Sequence, residues 1–291
     1  MRLFTRVAGK MPHSWIMSVA RLQYRYPWVK PAFELAANRV RNQDGEIQQG
    51  AGRGLRFNAG RSIAGYMLGT AEPDMQAALK ALIHPGMTVY DIGANVGFIS
   101  IIAARLVGPE GRVIAFEPLP SNARQIKYNA SLNNFSHIAV REEALGNEEG
   151  EVCFQVTDFP TTGRLEDGLV NKEKRGELMV AVRRLDTLVG AAEIPPPDLI
   201  KMDVEGAECA VLAGASSVLA TARPLMLIEL HATNEPVARA LEEQDYTSHV
   251  LGSRLSVTEA HWNAHLVSVP REERARLSGV VAALTDAALI G

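Results

Sequence analysis

The sequence has few cysteines and no long apolar run. Its 291 residues include two cysteines, Cys153 and Cys209, and neither belongs to a Cys-x-x-Cys pair or lies near a histidine ligand pattern. A disulfide scaffold and a structural zinc site are therefore not expected. We expect a reducing, cytoplasmic location instead. No apolar run reaches the roughly 18–20 residues that span a bilayer. The N-terminus also lacks a clean apolar core with a cleavage site, so we expect no secretory signal.

The sequence also lacks a surplus of positive charge, since its formal net charge is −3. General nucleic-acid binders usually carry a basic surplus, so nucleic acid is not expected as a partner. Residues 1–42 nevertheless hold eight Lys or Arg and one acid, a charge of +7 that leaves −10 for the rest. We predict a basic helical extension over residues 1–45. It either contacts an anionic membrane surface peripherally or packs on the body as a helical layer with a homo-oligomer contact.

Helical and strand patterns alternate from about residue 75 onward. The predicted strands are Thr88–Ile92, Arg112–Phe116, Ile138–Arg141, Glu151–Val156, Leu178–Val182, Leu199–Met202, Leu225–Leu230, Ser248–Leu251 and His265–Val269. The predicted helices are Met75–Ile83, Phe98–Leu106, Ser121–Asn129 with Ser121 as N-cap, Glu208–Leu219 and Val237–Gln244. The charged stretch Arg164–Glu177 is predicted to be a surface loop. This order predicts an α/β, Rossmann-like, doubly wound fold with a mostly parallel sheet, over residues 46–270, followed by a helical tail at 271–291.

The ends of the first three strands suggest a cofactor site. Asp91 precedes a turn with the spacing Gly93-x-x-x-Gly97 rather than the Gly-x-Gly-x-x-Gly of dinucleotide sites. A carboxylate there suits a cationic amino-acid group better than a phosphate. Glu117 follows the second strand, where an acid can bind ribose hydroxyls, and Glu143 follows the third, where it can accept from an adenine amino group. Together the three acids match an adenosyl amino acid better than a dinucleotide.

The fourth and fifth long strands provide a second group of polar residues. Asp203 follows Leu199–Met202, and Glu229 and His231 stand two residues apart at the end of the next apolar strand. Side chains two apart in a strand share a face, so the three side chains can converge on one pocket. His231 or Asp203 can serve there as a general base. A divalent metal held by Asp203, Glu229 and His231 is an alternative, but no metal is expected.

These residues resemble the FkbM family of methyltransferases over residues 50–250. The matching segments are Tyr66-x-x-Gly69-x-x-Glu72-Pro73, Asp91–Gly97, Phe116–Pro118, Asn129, Ala144–Gly146, Arg184–Leu188, Ile200–Glu208 and Glu229. The resemblance implies a class I, seven-stranded fold that uses S-adenosylmethionine to methylate oxygen in a small molecule, natural product or glycan. It also implies that Asp91, Gly93, Asn95, Gly97 and Glu117 line the cofactor. Tyr66 and Glu72 would approach it from outside the core sheet.

Two other functions compete with methyl transfer. A methyltransferase relative that binds the cofactor without turnover would act as a scaffold, but the acids at Asp91, Glu117 and Asp203 have no physical purpose in such a protein. A nicotinamide-dependent oxidoreductase is disfavoured by the missing Gly-x-Gly-x-x-Gly and by Asp91. The identity of the acceptor, and whether its reacting atom is oxygen or nitrogen, are not encoded in any legible pattern.

Overall fold

The computed structural model describes residues 42–156, 164–165 and 176–286, except residues 61 and 64. The predicted basic extension over residues 1–45 thus lies outside the described residues except for its last four. The middle of the predicted loop at 164–177 and the last five residues of the predicted tail lie outside them too.

Thirteen strands occur in the described part of the chain, and they form three sheets. In chain order they are β1 (Gly45–Glu46), β2 (Arg56–Phe57), β3 (Thr88–Ile92), β4 (Arg112–Phe116), β5 (Ile138–Arg141), β6 (Ala144–Leu145), β7 (Gly150–Val156), β8 (Arg164–Leu165), β9 (Gly176–Arg183), β10 (Leu199–Met202), β11 (Leu225–Glu229), β12 (Tyr246–Val250) and β13 (His265–Pro270). The first two form a small antiparallel hairpin.

The helices of the described residues lie mainly between the strands. They are α1 (Gly65–Leu68), α2 (Pro73–Leu82), α3 (Phe98–Val107), α4 (Pro120–Leu132), α5 (Leu185–Gly190), α6 (Glu208–Gly214), α7 (Ser216–Thr221), α8 (Asn234–Glu243) and α9 (Arg274–Asp286). None of these helices is long and apolar enough to cross a membrane.

The central sheet has seven strands in the order β12-β13-β11-β10-β3-β4-β5. The five strands from β11 to β5 are parallel, and β13 runs antiparallel to both of its neighbours. The strands are nearly continuous apolar runs because both faces of the sheet are covered by helices. The predicted mostly parallel, seven-stranded, doubly wound sheet is therefore confirmed.

Alternate strand residues pack into two core layers. Val89 and Leu199 face a layer that includes residues of α2, α3 and α9, whereas Tyr90 and Ile200 face a layer formed with α5, α6, α7 and α8. Within the predicted C-terminal tail, Val281 of α9 is buried in the first of these layers. The sheet is thus fixed from both sides, which holds the ends of its strands in place.

A four-stranded sheet, ordered β6-β9-β7-β8, stands beside the edge of the central sheet. It contains both strands predicted between residues 151 and 182. The predicted loop Arg164–Glu177 is wrong at its two ends, because Arg164–Leu165 pairs with β7 and Gly176 already belongs to β9. Backbone pairing with β7 satisfies groups that a polar surface loop would leave to water.

The predicted single helix Glu208–Leu219 is wrong, because it is divided at Ala215 into α6 and α7. A β-carbon at Gly214 would collide with the carbonyl oxygen of Gly146, so α6 ends in close contact with that loop. The start of α7 then receives its own cap from Asp186, whose Oδ1 accepts a hydrogen bond from the Val218 amide at 3.0 Å. This carboxylate satisfies an orphan N–H that a continuous helix would not have.

The predicted N-cap at Ser121 is also wrong. The helix α4 begins one residue earlier, at Pro120, and Leu119 occupies the cap position with an extended backbone. Proline at the first helical position suits this start because its fixed φ is helical and its missing N–H is not needed there.

Candidate functional site

Four carboxylates lie at the carboxyl ends of adjacent parallel strands. Asp91 is on β3, Glu117 follows β4, Asp203 follows β10 and Glu229 ends β11. Because these strands are neighbours and run in the same direction, their ends meet at one edge of the sheet. Open α/β sheets bind ligands at this edge.

The turn after β3 depends on glycine. Gly93 has a φ of 76°, and a β-carbon there would collide with the carbonyl oxygen of Asp203 in the turn after β10. Gly97 has a φ of 84° and precedes the first residue of α3. Between them Asn95 adopts a left-handed backbone with a φ of 51°. The turn therefore lies directly against the turn after β10 that contains Asp203, and it leads into the start of α3.

Glu117 is held by the same turn. Its Oε2 accepts a hydrogen bond from the Asn95 amide at 2.8 Å, and its Oε1 accepts one from the Leu119 amide at 2.9 Å. Burial raises the pKa of Glu117 to about 7, although these amides and the Asn122 side chain favour the charged form. A buried carboxylate fixed by two amides presents its remaining lone pairs in a defined direction. It is suited to accept hydrogen bonds from the hydroxyls of a ribose.

Two buried oxygen atoms beside this turn form no hydrogen bond in the described structure. They are Oδ1 of Asp91 and Oδ1 of Asn95. The other oxygen of Asp91 accepts a hydrogen bond from the Ser100 hydroxyl at 2.5 Å. Buried polar atoms are nearly always satisfied, so the Asn95 oxygen indicates a ligand that brings hydrogen-bond donors, while the charge of Asp91 is also balanced by the Lys201 ammonium. The ammonium and hydroxyl groups of an adenosyl amino acid are donors of this kind.

The cleft continues past Glu117 to the sheet that carries β7. Phe154 of β7 lines it and packs with Leu119 and Val180. Glu143 also lines the cleft, as predicted for an adenine contact, but its Oε1 already accepts a hydrogen bond from Arg141 Nε at 2.7 Å. The flat apolar wall of Phe154 suits an adenine ring. The adenine contact of Glu143 stays a prediction.

Lys201 links the cofactor turn to the other half of the site. It is 3% exposed, and its Nζ lies 3.5 Å from Asp91 Oδ1 and 3.6 Å from Asp203 Oδ2. The ammonium also donates a 3.3 Å hydrogen bond to the carbonyl oxygen of Gly93. Burial alone would lower the pKa of Lys201, but the charges of Asp91, Asp203 and two further acids outweigh it and raise the pKa, so the ammonium stays charged.

His231 stands at the centre of the second half. Its Nδ1 lies 2.8 Å from Glu208 Oε1, and its Nε2 lies 3.6 Å from Asp203 Oδ1 and 4.0 Å from Glu229 Oε1. Glu205 Oε2 is 3.7 Å from the same Nε2. The structure therefore brings together the three predicted acceptor-side residues. It adds two acids, Glu205 and Glu208, that had no assigned role in the sequence.

The pKa values in this group shift in different directions. Burial raises the pKa of Asp203. Burial also opposes the ionisation of Glu229, but the hydrogen bond and charge of His265 outweigh it, so the pKa of Glu229 is lowered. For His231, burial favours the neutral ring, yet the hydrogen bond to Glu208 and the charges of Asp203 and Glu205 raise the pKa.

Tyr66 and Glu72 approach this region from outside the central sheet, and their contact with the cofactor stays a prediction. The Tyr66 ring stacks on Phe98 at 4.6 Å between centroids. Burial raises the pKa of Glu72 to about 7, and its Oε2 is a third buried oxygen without a hydrogen bond in the described structure. The charge of Lys201 partly offsets this effect of burial. Both side chains thus border the space between the cofactor turn and the His231 group.

Four residues of the site carried no assignment from the sequence, namely Lys201, Glu205, Glu208 and Phe154. A signal existed for Lys201, because a lysine inside the apolar run Leu199–Met202 must be neutralised by a buried acid. For Phe154 the sequence offered no signal, since its role depends on how the second sheet folds back over the cleft.

Comparisons with known proteins match this chain to methyltransferases. A family model described as "Methyltransferase FkbM domain" matches residues 91–252. The hexuronic acid methyltransferase AglP of Haloferax volcanii is 27% identical over 164 residues, which cover 56% of this chain and 64% of that protein. The 2-O-methyltransferase NoeI of Sinorhizobium fredii is 28% identical over 158 residues, which cover 50% of this chain and 64% of that protein.

A solved structure of a methyltransferase FkbM from Methylobacillus flagellatus KT aligns with a TM-score of 0.44 and 18% identity, covering 70% of this chain and 53% of that one. The matched region spans less than two thirds of the length of each of these three proteins.

Proposed function

The chain belongs to the FkbM methyltransferase family, and from that premise we propose that it transfers a methyl group to a hydroxyl oxygen of a small molecule, natural product or glycan. The family resemblance and the use of S-adenosylmethionine, both expected from the sequence, are confirmed. The observation that carries the proposal is the shared position of Lys201 between Asp91 on the cofactor side and Asp203 on the acceptor side.

The hydrogen-bonding groups on the cofactor side of the site are suited to S-adenosylmethionine. We assign the amino-acid part of the cofactor to Asp91 and Asn95, each of which has one buried oxygen that accepts no hydrogen bond in the described structure. Gly93 and Gly97 allow the backbone to approach closely, and Glu117 accepts from the ribose. Tyr66 and Glu72 border the cofactor from outside the central sheet.

When bound, S-adenosylmethionine supplies an already activated methyl group, so the protein has to align the acceptor and remove one proton. Asp203, Glu229 and His231 face one space and can hold an acceptor hydroxyl there. His231 is fixed by Glu208 and orients the acceptor. The carboxylates of Asp203 and Glu229 are the proposed proton acceptors, because each has an oxygen directed at this space.

Oxygen is favoured as the reacting atom by the names of two relatives. One is called a hexuronic acid methyltransferase and the other a 2-O-methyltransferase. Carboxylates are also good acceptors for the several hydroxyls of a sugar. The scaffold alternative keeps the cofactor site but has no use for the carboxylates of Asp203 and Glu229 that face His231.

The test is methyl transfer to a panel of neutral sugars, hexuronates, hydroxylated natural products and amines, followed by release of S-adenosylhomocysteine. The expected result is a methyl ether, identified by nuclear magnetic resonance of the product. Asp203→Asn and Glu229→Gln should each lower kcat by at least about a hundredfold, with little change in the affinity for S-adenosylmethionine. A methylated amine would overturn the assignment to oxygen, and donor binding without any product would favour the scaffold.

A further inference from the structure

His231 is unusually well fixed for a histidine at the end of a strand. It is 8% exposed, and its Nδ1 pairs with Glu208, which is fully buried. Glu208 also accepts hydrogen bonds from the Gly206 amide at 3.0 Å and the Thr233 hydroxyl at 2.9 Å. The imidazole ring is therefore fixed by the Glu208 carboxylate, and that carboxylate is fixed by two further hydrogen bonds. This is the arrangement by which proteins orient a histidine towards a metal ion.

The other ring nitrogen forms no hydrogen bond with the described part of the chain. Its three carboxylate neighbours, Asp203, Glu205 and Glu229, lie at 3.6, 3.7 and 4.0 Å, which is beyond hydrogen-bond length. A ligand atom from each of Asp203, Glu205 and His231 lies within 4.8 Å of the other two. Atoms that surround an ion at bond lengths of about 2.0–2.2 Å stand roughly 3–4 Å apart, and both distances from Nε2 to the oxygens of Asp203 and Glu205 fall in that range.

Charge favours a cation at the same point. Asp203 is neutralised by Lys201 only on its Oδ2 side, and that ammonium is shared with Asp91. On the Oδ1 side, Asp203 and Glu205 face the imidazole, whose Nδ1 is already occupied by Glu208. Carboxylates that stand this close together are stabilised by a positive ion between them.

We propose that Asp203, Glu205 and His231 bind a divalent cation through one oxygen of each acid and Nε2 of the histidine. Two carboxylates and an imidazole are a ligand set for Mn²⁺, Fe²⁺ or Zn²⁺. The set differs from the one weighed in the sequence, because Glu205 takes the place of Glu229. It also revises the expectation that no metal is bound.

The cation would act on the proposed reaction in a simple way. A divalent ion at this position draws electron density from an acceptor oxygen and lowers the pKa of its hydroxyl. Glu229 is not one of the three ligands, so it stays available to take the proton. The proposal about the cation itself does not depend on the methyl acceptor, because it can be tested without turnover.

The experiment is calorimetric titration of the chelator-treated full chain with Mn²⁺ and, separately, with Zn²⁺. The wild type is expected to bind one ion per chain. Glu205→Gln and His231→Gln should each weaken binding by at least about tenfold, whereas Glu142→Gln, a surface acid at the far edge of the sheet, should bind like the wild type.

Circular dichroism of each variant checks that it is folded. Glu205→Gln serves as the second variant, because the Glu205 side chain is 30% exposed and tolerates change better than His231. Absence of binding of both ions to the wild type at millimolar concentration would overturn the proposal. Equal affinity of the wild type and Glu205→Gln would overturn it as well, because the ion would then be bound elsewhere.

Discussion

Lys201 stands opposite Asp91 in the register of two parallel strands, and its ammonium lies 3.5 Å from Oδ1 of that carboxylate. Both side chains are buried, the aspartate completely. Removing one partner of a buried ion pair leaves the other as an uncompensated charge in a medium of low polarity. This pair therefore matters for the stability of the protein as well as for its chemistry.

The first prediction concerns Lys201→Met. The substitution keeps the apolar stem of the side chain but leaves Asp91 and Asp203 without their shared cation, so the free energy of unfolding should fall by about 3–5 kcal/mol. Denaturant unfolding measures the change. Lys127→Met is the matched control, since Lys127 pairs with Glu142 at the surface and its loss should change stability little. Equal effects of the two substitutions would contradict the assigned role.

The second prediction compares two glycines with left-handed backbones. Gly93 and Gly86 have φ values of 76° and 88°, but only at Gly93 would a β-carbon collide with the backbone, whereas Gly86 has open space. Gly86→Ala should cost about 1–2 kcal/mol of backbone strain. Gly93→Ala should destabilise the protein clearly more and abolish donor binding. Thermal unfolding and calorimetry test this, and similar melting temperatures for both variants would show that the contact with Asp203 is not tight.

The third prediction uses the pKa of Glu117. Its folded-state value of about 7 lies above the ordinary 4.5, so the folded protein prefers the protonated acid and loses stability as pH rises from about 4.5 to 7. Glu117→Gln cannot ionise. The difference in free energy of unfolding between Glu117→Gln and the wild type should therefore rise by about 3 kcal/mol over this range. The difference should level off above pH 8.

Glu72 has a similar pKa of about 7, so only the difference between the two proteins reports Glu117. The charged group that faces Glu117 is Asp91, and its other contacts are the amides of Asn95 and Leu119 and the side chain of Asn122. The affinity of the wild type for S-adenosylmethionine should rise as pH rises over this range, because the ionised acid accepts hydrogen bonds from ribose hydroxyls better than the protonated acid does. A constant difference in stability from pH 5 to 8 would refute the raised pKa.

The fourth prediction concerns Phe154, which lines the cofactor cleft. Phe154→Ala removes an apolar wall, so the Kd for S-adenosylmethionine should rise about tenfold, while kcat at saturating donor stays close to that of the wild type. Met179→Ala is the control, since Met179 lies on the paired strand and is 57% exposed. Unchanged donor affinity in Phe154→Ala would place the adenine elsewhere.

Most of the fold could be predicted because buried parallel strands and their helices have clear patterns. Thr88–Ile92 and Leu199–Met202 were predicted at their observed bounds, since both are short runs in which all residues except Thr88 are buried. The break at Ala215 could not be predicted. It depends on Gly146 and Asp186, which are far away in the sequence and come near only in the folded protein.

The site divides in the same way. Asp91, Glu117 and Asp203 could be found because Asp91 lies near the end of a predicted strand, Glu117 and Asp203 each follow one, and the order of strands brings these ends together. The pairing of Lys201 with Asp91 depends on register, which the composition of a strand does not specify. The role proposed for Glu205 depends on how its turn directs the side chain towards His231.

The contact between Gly93 and the carbonyl of Asp203 has a consequence for protein engineering. It sets the spacing between the donor turn and the acceptor loop through main-chain atoms alone. Side chains around the acceptor can then be exchanged without moving the point from which the methyl group is delivered. Acceptor preference should for this reason be open to directed evolution at Tyr66 and Glu72, while Glu229 and the Gly93–Gly97 turn are kept unchanged.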